Sequence, residues 1–106
     1  MNVLKVHADF RRNLAVIGTI ACSLMLVLML LPWRPVFPDG GLDPSWQGVI
    51  EWGFLQGRVF GEDLVFTFGP LGFLYTRLYH PDLFGVLMGF WFITALLLGL
   101  FFGGFW

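Results

Sequence analysis

The sequence predicts an all-α membrane protein: two transmembrane helices joined by a long outer loop with one or two short interfacial helices. Three observations predict it. Hydrophobic residues make up 58% of the 106-residue chain and charged residues only 12%, against about 25% charged in an ordinary globular domain. A chain this short has too much surface to hide that much apolar side chain from water. The charges are also segregated: residues 14–31 and 83–106 carry none.

Residues 1–13 form a polar leader with Lys5, Arg11 and Arg12 against Asp9. Residues 14–31 follow as the first span, which at 1.5 Å per residue covers roughly 27 Å, close to the hydrocarbon thickness of a bilayer. A cleaved signal peptide is the rival reading, but its apolar core is shorter, about 7–15 residues. The run also leads into Pro32-Trp33-Arg34-Pro35, not a small-x-small cleavage site. Pro32 ends the helix because it has no N–H to donate. Trp33 and Arg34 suit the membrane–water interface.

Residues 32–82 form the loop. Pro35, Pro38, Asp39, Gly40 and Gly41 mark an exposed turn region. Asp43 is expected as a helix N-cap with Pro44 at the first helical position, opening an interfacial helix over about 44–56. Its apolar face is Trp46, Val49, Ile50, Gly53 and Phe54, with Gln47, Glu51 and Arg58 off that face. Gly57 suits the C-terminal cap. Gly61-Glu62-Asp63 reads as a turn, and Leu64, Phe66 and Phe68 alternate with Val65 and Thr67 as an extended segment. Pro70 starts a short helix over about 70–77, and His80-Pro81-Asp82 breaks the chain again.

Residues 83–106 are the second span. Gly85, Gly89, Phe92, Leu96, Gly99 and Gly103 lie on one stripe containing two G-x-x-x-G units, which admit a close helix backbone. Ordinary packing against neighbouring helices explains the stripe better than a dedicated dimer motif, because glycine is common in membrane spans. The last residues, through Phe105-Trp106, have no polar flank, which predicts a longer multi-spanning protein. Lys5, Arg11 and Arg12 beside the first span predict a cytoplasmic N-terminus and an outside loop.

The net charge of −1 and the lack of a basic cluster exclude a nucleic-acid groove. Cys22 stands alone, so no intrachain disulfide forms, and it serves as a small packing residue. His80 has only His7 as a companion, across the membrane, so no metal site is expected, and no cofactor either. Asp43 is the candidate general base, a carboxylate at a helix start beside Trp46 at the outer surface; capping alone explains it fully and is the favoured role, although the two are compatible. Arg58 and Arg77 are candidates for holding a phosphate or lipid headgroup, or they snorkel. Glu62 and Asp63 form a second acidic element or a solvated turn.

The phrases Asp43-Pro44-Ser45-Trp46, Phe60-Gly61-Glu62-Asp63 and Phe66-Thr67-Phe68-Gly69-Pro70-Leu71-Gly72-Phe73-Leu74 resemble the N-terminus of bacterial multi-spanning glycosyltransferases of the C-type fold. The layout is also similar: a span, an outer loop with an early Asp, a helix ending in Gly, and a Gly-Pro-Leu element before the second span. The resemblance implies a polyprenyl-phosphate sugar donor, membrane lipid and further transmembrane helices as partners, and a bacterial inner (plasma) membrane location. It also implies that Asp43 acts as base or lines the acceptor site. Arg58, Arg77, Glu62 and Asp63 are the candidate substrate-binding residues beside it. The alternative is a small two-span membrane protein without catalysis that packs on a partner through the glycine stripe.

Overall fold

The computed structural model describes residues 3–104, and all of their side chains except those of Leu4, Asp43 and Pro44. Four helices follow in order: α1 (Val3–Leu30), α2 (Leu42–Leu55), α3 (Phe73–Thr76) and α4 (Pro81–Gly103). Among the described residues there is no strand, only the isolated bridges Val36–Leu78 and Phe60–Leu64. The chain forms two compact units, Met1–Leu31 with Trp91–Trp106, and Pro32–Phe90.

Two helices are long and apolar enough to cross a membrane, Lys5–Leu30 and Pro81–Gly103, each with a mean hydropathy of 2.3 over its best window. None of that window in α1 is buried inside the structure. Leu14, Ile17, Leu24 and Leu28 stand exposed along it, as side chains do when lipid is the solvent. Helix α1 runs back through the polar leader to Val3, and α4 begins at Pro81. His80 explains the earlier start: its Nδ1 accepts the Asp82 N–H at 3.3 Å, and its carbonyl accepts the Phe84 N–H at 2.9 Å. Pro81 then sits at the first helical position, where no N–H is missed. Of the expected second span, residues 105–106 lie outside the described residues.

In the first unit, α1 meets the end of α4 along a seam of small side chains. A Cβ on Gly99 would meet the Ser23 hydroxyl and lie 2.7 Å from the Ser23 Cβ; one on Gly103 would meet the Thr19 hydroxyl and lie 2.6 Å from the Thr19 Cβ. Thr19 and Ser23 are four apart on α1, as Gly99 and Gly103 are on α4, so both helices offer small-x-x-x-small to the contact. Ala95, one turn earlier on α4, is fully buried. The Thr19 hydroxyl donates to the Ala15 carbonyl at 2.8 Å, which satisfies it within its own helix. Gly85 and Gly89 share the stripe but have open space where a Cβ would sit.

The second unit is a folded segment closed at its ends. The Val36 N–H donates to the Arg77 carbonyl at 3.3 Å and the Tyr79 N–H to the Val36 carbonyl at 2.8 Å, with the Phe37 and Tyr79 rings 5.2 Å apart beside them. Ile50, Phe73 and Leu83 form the core, flanked by Trp46, Phe60, Phe68 and Leu74. Burying each of the three contributes about 1.5–3 kcal/mol.

Helix α2 starts earlier than the sequence suggests, and Asp43 is not its N-cap. Asp39 Oδ1 accepts the Gly41 N–H at 2.8 Å and turns the chain, so Gly41 becomes the cap, with extended backbone and no side-chain cap bond. Asp43 falls inside the first turn, and Ser45 Oγ donates back to the Gly41 carbonyl at 2.7 Å. The C-terminal end is a Schellman motif: the Gly57 N–H reaches the Phe54 carbonyl and the Arg58 N–H the Gly53 carbonyl, with Gly57 left-handed at φ 63°.

Residues 64–68 have no strand partner and lie instead along α2. Leu64 sits on Gly53, which has no Cβ to exclude it, while Phe66 and Phe68 stack on Trp46 at 5.5 and 5.6 Å. The expected helix over 70–77 is a turn at 70–72 followed by the single turn of α3. Arg77 stops it in the left-handed region at φ 57°.

The seam is testable. Gly99→Leu and Gly103→Leu should each lower stability in detergent micelles by at least about 1–3 kcal/mol, the scale of overpacking. Gly89→Leu meets nothing and should leave the thermal midpoint unchanged, as should Leu97→Ile at an exposed position. Equal midpoints for all four variants would contradict the seam.

Candidate functional site

The candidate site lies on α2 in the Pro32–Phe90 unit, and its chemistry centres on a residue the apolar pattern leaves out. Glu51 is 3% exposed, beside Ile50 at 0%. The packed side of α2 is rotated from the expected face: Ile50, Glu51 and Gly53 are buried and Gln47 half-buried, while Val49 stands 41% exposed. The rotation follows from what covers the helix. Ile50 meets the turn before α3, Gly48 faces Leu78 and Gly53 faces Leu64, so α2 is covered from more than one side.

The Glu51 carboxylate makes no hydrogen bond or ion pair among the described residues. No fully buried side-chain oxygen or nitrogen among them lacks a partner, so the small remaining exposure of Glu51 falls on its oxygens. Burial pushes its carboxyl up from the ordinary 4.5 to about 7, because the charged form loses its water. A carboxyl poised there can both take and give a proton near neutral pH.

The other candidates stand in different surroundings. The Asp43 side chain lies outside the described residues, and its backbone occupies the first turn of α2. Arg58 lies back over the Trp52 ring, 5.4 Å from its centroid. Asp63 is a turn former: its Oδ2 accepts the Val59 N–H at 3.0 Å, and its own N–H donates to the Val59 carbonyl. Glu62 is exposed at the tip of the same turn, next to Gly61 at φ 99°. Arg77 is half-buried at a left-handed position that normally takes glycine, and the Cβ there costs about 1–2 kcal/mol. Nothing brings Arg58 or Arg77 into an ion pair with Glu51.

The same unit carries an aromatic stack that starts from α2. Phe66, Trp46, Phe68 and Tyr75 follow one another at 5.5, 5.6 and 5.5 Å with planes within 19° of parallel. The end rings are open, Phe66 at 41% and Tyr75 at 69% exposure. Among the described residues no three His, Cys, Asp or Glu gather as a metal site would require.

One signal in the sequence does point to Glu51. Gln47, Ile50, Glu51 and Phe54 also repeat at helical spacing, and Gly48 and Gly53 flank that stripe as places of close approach. Ranking faces by hydrophobicity alone selects the other one.

The raised carboxyl fixes a pH dependence of stability. Below about 4.5 Glu51 is protonated whether the chain is folded or not; between 4.5 and about 7 the unfolded chain ionises while the folded one holds its proton. The folded state then binds more protons, so stability falls as pH rises through this window, by up to about 3 kcal/mol, and levels off above it. Glu51→Gln should remove this slope and raise the thermal midpoint at pH 8. Parallel pH profiles for the two proteins would refute the buried carboxyl.

No protein-family model matches this chain, no curated protein matches it in sequence, and no solved structure matches it in fold.

Proposed function

We propose that this chain is the N-terminal part of an integral membrane glycosyltransferase that transfers a sugar from a polyprenyl-phosphate donor at the outer membrane face. The observation that carries the reading is the Pro32–Phe90 unit, a separately folded segment whose α2 carries a buried carboxylate with no partner among the described residues. The three motif phrases that resemble C-type glycosyltransferases all fall within this unit.

A carboxylate on α2, Asp43 or Glu51, takes the proton of the acceptor hydroxyl. The acceptor oxygen bonds to the anomeric carbon as the bond from that carbon to the phosphate oxygen breaks. The electron pair leaves on the polyprenyl phosphate, whose charge Arg58 or Arg77 holds. Glu62 and Asp63 border the same turn as Arg58. The open rings of Phe66 and Tyr75 suit an interfacial position for the unit.

In this reading the protein sits in a bacterial inner membrane with its N-terminus in the cytoplasm. The support is Lys5, Arg11 and Arg12 at the start of α1. Ser45→Cys in a Cys22→Ala background should label with a membrane-impermeant thiol reagent in spheroplasts, whereas Asn2→Cys should not. The reverse pattern would overturn the orientation.

A second reading, a two-span protein that packs on a partner, is favoured by one observation: Gly85 and Gly89 stay uncovered while Gly99 and Gly103 are occupied by α1.

Activity separates the two carboxylates. In the full-length protein, loss of the general base should reduce sugar transfer by roughly a hundredfold or more. Asp43→Asn should do so if Asp43 is the base, and Glu51→Gln if Glu51 is. Glu62→Gln, an exposed turn residue, should change transfer little. Full transfer by both Asp43→Asn and Glu51→Gln would end the enzymatic reading for this region.

A further inference from the structure

An open groove of about 350 Å³ runs along the first unit between α1 and the end of α4. On α1 it follows Arg11, Ala15, Gly18 and Cys22, one helical face at spacings of four, three and four, and Phe102 of α4 forms part of the opposite wall. Below Arg11 the lining is apolar or small. From Arg11 to Cys22 the helix rises about 16 Å, close to half of a hydrocarbon core about 30 Å thick. Arg11 stands three residues before the charge-free run, at headgroup level, and Cys22 lies near the middle of that run.

The charge at the mouth is uncompensated. Asp9 pairs with Arg12 at 3.1 Å, whereas Arg11 makes no ion pair among the described residues. A cationic mouth over an apolar channel one leaflet deep complements an anionic head joined to an acyl chain.

We infer that this groove holds an anionic glycerophospholipid of the leaflet surrounding the start of α1, with its phosphate on Arg11 and one acyl chain lying over Gly18. A guanidinium binds phosphate oxygens through paired N–H donors. Gly18 has no heavy atom within 4 Å of where its Cβ would be, so its missing side chain leaves room for the chain. This site is separate from the α2 carboxylates and holds whether or not the protein transfers sugar.

Native mass spectrometry of the full protein released from micelles doped with phosphatidylglycerol or phosphatidylcholine tests it. The protein should retain one phosphatidylglycerol in preference to phosphatidylcholine. Arg11→Gln should weaken phosphatidylglycerol retention about fivefold, the contribution of one basic residue at an anionic surface. Arg12→Gln, whose charge is already paired, should weaken it less. Gly18→Leu places a side chain in the groove, with open space for its Cβ, and should reduce retention of both lipids. Equal retention of the two lipids, or indifference to Arg11→Gln, would overturn the proposal. So would a dimer of the wild type that Gly18→Leu dissolves, because the groove would then hold a helix.

Discussion

Val36 and Leu78 are distant in the sequence and adjacent in space, and the Pro32–Phe90 unit depends on their meeting. Closing a loop becomes only slowly more costly as it lengthens, so two backbone hydrogen bonds and a ring contact suffice to hold the ends once a core exists between them. The closure fixes where Leu78 lies, and Leu78 is what Gly48 of α2 faces. With α2 held on that side and Leu64 pressed on Gly53 from another, the helix is turned so that Glu51 goes inward. The carboxylate is carried inward with the glycine-bearing side of α2 that these neighbours cover.

The sequence made the two apolar helices and the existence of α2 legible, because long charge-free runs and helical periodicity are strong local signals. The alternation of Leu64, Phe66 and Phe68 was legible in a subtler way. It marked one shared side of the segment, although that side lies on a helix and joins no sheet. What the pattern missed depends on non-local contacts. The start of α2 is set by Asp39, whose side chain takes the Gly41 N–H and turns the chain just before the helix. The inward face of α2 is set by elements later in the chain, which no window around Glu51 contains.

The candidate residues separate for the same reason. Asp63 is engaged in its own turn, Arg58 lies on Trp52, and Glu51, faint in the local repeat, is singled out by the tertiary arrangement. Arg77 is the exception: its identity is plain in the sequence, but its left-handed backbone, which gives the residue its interest, is not.

The seam between α1 and α4 has a consequence for side-chain entropy. Glycine loses no rotamer freedom when it is covered, and the Thr19 hydroxyl is already fixed on the Ala15 carbonyl of its own helix. The surfaces that meet there are therefore ordered before they meet. A seam of Leu and Met would have to freeze several torsions at each contact, a penalty that grows with temperature. This one avoids most of it, so packing the two helices together orders few side-chain torsions.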